Sequence, residues 1–177
     1  IFYSHRYDPE TPLEETMVAF DMLVKQGKVR AIGASNYSGA RLNDALRISA
    51  ARGLARYDCL QPNYNFIDRQ PYESDLRPVC LAESVGVIPY FSLAAGFLTG
   101  KYRRGGALPS TPRAAGISKR YMHDRGWAVL DAVEAEAKRL GATPGQIAVA
   151  WLLTRPSITA PIASATSVAQ MKELANA

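Results

Sequence analysis

Short apolar runs alternate with amphipathic helical patterns along this whole chain. Residues 29–34 set the type. They form a mostly apolar run without proline, followed by Ser35, Asn36 and the N-cap residue Ser38, and then by a helical pattern over 39–52. An apolar run without polar alternation is what a parallel strand covered on both faces requires. The same reading gives strands at 2–4, 57–62, 87–91 and 158–163, with Pro89 keeping the fourth short or irregular. Strand followed by helix, repeated, predicts an α/β fold with parallel strands.

The intervening segments read as helices with recognisable ends. Thr11-Pro12-Leu13-Glu14 has the form of a capping box, and Leu13, Met17, Phe20, Leu23 and Val24 recur at helical spacing before Gly27. Residues 63–71 read as a polar loop and 72–84 as a third helix closed by Gly86. Residues 96–102 read as a short helical turn. Residues 103–118, rich in Gly, Pro and Arg, read as one long loop that becomes ordered when a ligand binds. Helices are expected over 125–140, from Thr143-Pro144 to Thr154, and after the cap Ser167.

The strand ends carry polar or aromatic residues: His5, Ser35-Asn36, Gln61, Tyr90 and Ser164. In barrels of alternating strands and helices, ligands bind at the carboxyl ends of the strands. These five ends are therefore expected to share one face. Taken alone, His5 also fits a structural loop histidine and Tyr90 a core aromatic.

Composition narrows the possible functions. The 177 residues are 47% hydrophobic and 21% charged, enough for one domain with a real core. No apolar run is long enough to span a bilayer, so no membrane role is expected. Cys59 and Cys80 lie in apolar segments outside any metal-ligand spacing, as buried thiols of a cytoplasmic protein would. The net charge of +5 is densest from Lys101 to Arg120, either as a solvated basic loop or as a clamp for a phosphate-bearing ligand. No aromatic interleaving or binding motif points to nucleic acid. Oligomeric state is not legible. The start at Ile1 inside a strand and the end inside a growing helix read as those of a piece of a longer protein.

Five strands are too few to close an eight-stranded barrel, and no glycine-rich dinucleotide fingerprint marks an open doubly wound sheet. The expected architecture is therefore an incomplete (β/α)8 TIM barrel, strands four to eight with their helices, as one partial domain over 1–177.

Several motifs fix a resemblance. Ser4-His5-Arg6 with Asp8-Pro9-Glu10-Thr11-Pro12, Gln26-Gly27-Lys28-Val29-Arg30, Ile32-Gly33-Ala34-Ser35-Asn36 and Phe97-Leu98-Thr99-Gly100-Lys101-Tyr102 resemble the aldo-keto reductases. The branch most resembled is that of bacterial reductases related to the potassium-channel β subunits. The resemblance implies a TIM barrel that holds NADPH extended and reduces aldehydes or ketones. It implies a catalytic Asp, Tyr, Lys and His, of which only the His has a matching position, His5. Ser35, Asn36 and Gln61 match the trio that hydrogen-bonds the nicotinamide carboxamide, and Tyr90 the aromatic that stacks on its ring. Phe91, Ser92, Leu93 and Ala94 match the segment under the pyrophosphate, with Phe91 in place of a common Ser. Lys101 matches a pyrophosphate-binding lysine and Arg113 an arginine of the cofactor loop. Ser164, Thr166, Gln170 and Glu173 match the adenosine end. There Ser164 replaces a common Gly, Leu174 a common Asn, and Gln170 a frequent basic residue, which leaves NADH open beside NADPH. The resemblance implies one of two functions: a carbonyl reductase, or a nucleotide-binding regulatory subunit of the channel β-subunit type.

Overall fold

The computed structural model describes residues 1–108 and 114–177, which fall into two compact units. The first comprises 1–62, 70–88 and 156–159; the second comprises 63–69, 89–155 and 160–177.

The first unit is built on a parallel sheet of four strands in the order β1 (Phe2–Ser4), β2 (Ile32–Ser35), β3 (Tyr57–Gln61) and β4 (Gly86–Val87). The helices α1 (Leu13–Lys25) and α2 (Gly39–Arg52) are the crossovers, and α3 (Arg77–Ala82) leads into β4. Register explains the inner layer. Tyr3 pairs with Gly33, and Gly33 with Cys59. A Cβ on Gly33 would lie 2.7 Å from both the Tyr3 ring and Cys59 Sγ. Because Gly33 has no side chain, Tyr3 and Cys59 meet across it, and the thiol donates to the Tyr3 hydroxyl over 3.2 Å. Two residues further on, the same face presents His5, Ser35 and Gln61, since strand side chains alternate. The opposite face buries Ile32, Ala34 and Leu60 against helices carrying Met17, Leu42, Ala45 and Leu46.

Several local expectations are corrected. β2 begins at Ile32, not at residue 29, because the amides of Lys28 and Val29 bond to the Leu23 carbonyl and close α1. The Thr11 capping box does not form: the Thr11 hydroxyl donates to Asp8 Oδ2, and Pro12 precedes the helix without a side-chain cap. The third helix opens with a π turn, Tyr72–Leu76, before the α-helical Arg77–Ala82. Pro78 has no N–H for the regular ladder, and the wider turn upstream accommodates it. Asp75 in that turn accepts a 2.7 Å hydrogen bond from the amide of Gly39, the first residue of α2. The fourth strand is short, because Pro89 cannot donate. The fifth, expected over 158–163, is reduced to an isolated parallel bridge between Val87 and Ile158, with Pro161 breaking the run three residues later.

The second unit is helical. Its core packs Phe97, Leu98, Tyr102, Ile117, Tyr121, Trp127, Leu130, Ala148 and Val149. Residues Ala94–Thr99 form 3-10 turns interrupted at Ala95 and Gly96. Next come α4 (Ala114–Tyr121), α5 (Asp124–Leu140), α6 (Pro144–Leu153) and α7 (Val168–Ala175). α4 overturns part of the long loop expected over 103–118, because Ala114, Ile117 and Tyr121 form one buried helical stripe. Arg113 lies outside the described residues. Thr143 caps α6 and forms a capping box with Gln146, which the sequence reading did not include, and Ser167 caps α7 as expected. No helix among the described residues is long and apolar enough to cross a membrane.

Candidate functional site

In the first unit the carboxyl ends of β1, β2 and β3 bring four of the expected residues together. Ser35 and Gln61 pair in register. The buried Ser35 hydroxyl donates to the Gln61 carbonyl over 2.7 Å. Asn36 then takes the left-handed conformation, φ 57°, which asparagine tolerates better than most residues. That turn aims its amide at the His5 carbonyl, 2.8 Å away, and at Ser35 Oγ, 3.1 Å away. His5, Ser35, Asn36 and Gln61 are thus one hydrogen-bonded rim, with the His5 side chain exposed. Below it lies the Tyr3 hydroxyl, which accepts from the Cys59 thiol. Burial, with the neighbouring Cys59, holds the Tyr3 phenol well above its ordinary range. That hydroxyl is therefore a neutral structural group.

In the second unit the expected residues from Tyr90 to Ala94 form an irregular loop. Tyr90 bridges Asn63, and the Tyr90 and Phe91 rings meet edge to face at 5.2 Å. Phe91, Ala94 and Ala95 all have positive φ, at 54°, 48° and 56°. Each such non-glycine residue costs on the order of 1 kcal/mol, and such strain concentrates at ligand-binding segments. Ser92 is buried and donates to the Pro89 carbonyl. Leu93 and Ala94 belong to the unit's core. Gly96, at φ 102°, leaves room for Lys101: a Cβ there would lie 3.3 Å from the ammonium. Lys101 therefore lies beside the strained loop.

A partly buried polar hub holds this loop, and of its members only Arg120, as the end of the basic stretch 101–120, was among the residues expected from the sequence. Asp68 Oδ2 accepts from Asn63 (3.0 Å), Asn65 (3.2 Å), the Tyr121 hydroxyl (2.8 Å) and Arg120 (3.0 Å). Asn65, fully buried, also donates to the Phe91 carbonyl and accepts from the amides of Ile67 and Asp68. Burial pushes the Asp68 carboxyl up. The hydrogen bonds from Asn63, Tyr121 and Asn65, with the charge of Arg120, outweigh that and hold it below its ordinary value. The one local signal is the density of Asn and Asp in 63–68, which by itself reads only as a polar loop.

At the start of α7, Gln170 Oε1 accepts from both the amide and the hydroxyl of Thr166, and further along the helix Glu173 accepts from Thr143. Ser164 is exposed.

A model of the aldo/keto reductase family matches residues 1–177. The chain belongs to the aldo/keto reductase family. It is 31% identical to an L-glyceraldehyde 3-phosphate reductase of Escherichia coli over 98% of the chain and 51% of that relative. It is 30% identical to a probable voltage-gated potassium channel subunit beta of Arabidopsis thaliana over 98% of the chain and 54% of the relative. It is also 35% identical to a versiconal hemiacetal acetate reductase of Aspergillus parasiticus, over 86% and 45%. The chain spans about half the length of these curated relatives. A rim of amide and hydroxyl groups suits a carboxamide, and a strained loop with a lysine over its glycine suits a phosphate.

Proposed function

We propose that the whole protein is an NADPH-dependent reductase of aldehydes or ketones, built on a (β/α)8 barrel to which this chain contributes strands four to eight. The observation that supports this reading best is the Ser35–Asn36–Gln61 rim at the ends of adjacent parallel strands in a member of this family. Ser35, Asn36 and Gln61 would hold the nicotinamide carboxamide, and Tyr90 the ring. Phe91 to Ala94 with Lys101 and Arg113 would hold the pyrophosphate, and Ser164, Thr166, Gln170 and Glu173 the adenosine end. NADPH, or NADH in its place, supplies hydride. The His5 imidazole, exposed at the rim, donates a hydrogen bond to the substrate oxygen and orients it. The proton for the developing alkoxide comes from a tyrosine with a nearby lysine, on strands outside these residues. The free thiols Cys59 and Cys80 suit a cytoplasmic location.

The test follows NADPH absorbance with a generic aldehyde such as a nitrobenzaldehyde, using the whole protein and residues 1–177 side by side. Turnover is expected from the whole protein and none from the shorter chain. Losing a general acid typically costs on the order of 10² to 10⁴ in rate. Equal turnover by both would place the acid within these residues. Relatives named as channel β subunits favour a second reading, a nucleotide-binding regulatory subunit. Tight NADPH binding by the whole protein, without turnover of any carbonyl, would select it.

A further inference from the structure

Arg120 occupies an unusual place in the second unit. Its guanidinium lies 5.7 Å from the centroid of Phe91 and 5.4 Å from that of Tyr121. One nitrogen bonds Asp68 Oδ2 over 3.0 Å. The Arg120 side chain remains about half exposed, whereas Asp68 is largely covered. The same carboxylate oxygen already accepts from Asn63, Asn65 and Tyr121. A carboxylate with three other donors keeps its hydrogen bonds if the arginine leaves. The usual penalty for orphaning a buried charge therefore does not hold Arg120 in place.

Phe91 opens the loop whose other end, Gly96, is faced by Lys101. That loop thus has a cation at each end, one of them loosely held. A guanidinium presents five donors in a planar fork, of which Asp68 takes one, and the fork suits phosphate oxygens. We propose that Arg120 is a phosphate-binding residue of the cofactor site, resting on Asp68 until the phosphate arrives. This rests on the dinucleotide reading above and adds a residue that the family motifs do not carry. The phosphate is either the pyrophosphate bridge or the 2′-phosphate.

The experiment titrates NADPH and NADH into the whole protein and follows tryptophan fluorescence. The variants are Arg120→Gln, Arg120→Lys and Asp68→Asn. Loss of one charge-assisted phosphate contact should weaken NADPH binding about tenfold in Arg120→Gln, with partial recovery in Arg120→Lys. Asp68→Asn, which frees the guanidinium, should bind at least as tightly as the wild type. Equal losses for both cofactors assign the pyrophosphate; a loss for NADPH alone assigns the 2′-phosphate. If Arg120 only fastens α4, Asp68→Asn and Arg120→Gln lose affinity together and Arg120→Lys recovers nothing, which overturns the proposal. Should Asp68→Asn fail to fold, the Gln and Lys variants still decide. Unchanged binding in Arg120→Gln sinks this inference alone. A wild type that binds neither cofactor sinks the dinucleotide reading, and this inference with it.

Discussion

The Ser35–Asn36–Gln61 rim and the Asp68 hub are put together in different ways. The rim in the first unit comes from strand register. Once β1, β2 and β3 pair in parallel, His5, Ser35 and Gln61 have to arrive on one face, and each hydrogen bond adds little to a geometry the sheet already sets. In the second unit no sheet positions Phe91. Its place depends on side chains, above all on Asp68 and Asn65, which tie a loop, a strained segment and α4 to one another. Backbone register distributes the task of positioning over many bonds, whereas the hub concentrates it in one carboxylate.

That contrast ranks the expected effects of mutation. Asp68→Ala should be the largest, costing about 2–4 kcal/mol, because it strands Asn63, Asn65 and the Tyr121 hydroxyl in partial burial. Urea unfolding measures it, and a loss no greater than that of an exposed carboxylate would erase the contrast. Asp68 is held below its ordinary pKa, so its stabilisation is full above the unfolded value and fades as pH falls through the folded one. Unfolding midpoints followed across the acid range should therefore fall less steeply in Asp68→Asn than in the wild type. Gly33→Ala should come next, at about 1–3 kcal/mol, because the new methyl meets Tyr3 and Cys59 at contact distances no core accepts. Ser35→Ala should be the smallest, at about 1 kcal/mol, since the bond to the Gln61 carbonyl and the one from Asn36 are lost while the strand pairing stays and Asn36 keeps the His5 carbonyl. A Ser35 loss as large as that of Asp68 would mean that the rim, too, hangs on single side chains.

The same division explains how much of the molecule is legible in the chain alone. α2 forms over Gly39–Arg52 as expected, because its cap, its apolar stripe and its terminating glycine are all local signals. The rim is legible because strand ends follow from strand positions. The Asp68 hub is not, since Arg120 and Tyr121 lie 52 and 53 residues away and the Asn and Asp of 63–68 read by themselves only as a polar loop. The fifth strand falls short of its apolar run, because Pro161 cannot donate to the ladder that the run would otherwise extend. α4 is hidden behind glycine, proline and arginine, and its buried stripe has only three residues, Ala114, Ile117 and Tyr121.

The hydrogen bond from Gly39 to Asp75 has a consequence for the order in which the chain is made. The amide that opens α2 finds its carboxylate 36 residues later, on the π turn ahead of α3. When α2 leaves the ribosome, only the Ser38 hydroxyl is there to tie down its first turn. During synthesis the Gly39 amide has no access to that carboxylate until the chain has passed β3 and the segment containing Asp75 has emerged. The start of α2 is therefore finished from a distance, after β3 has been delivered.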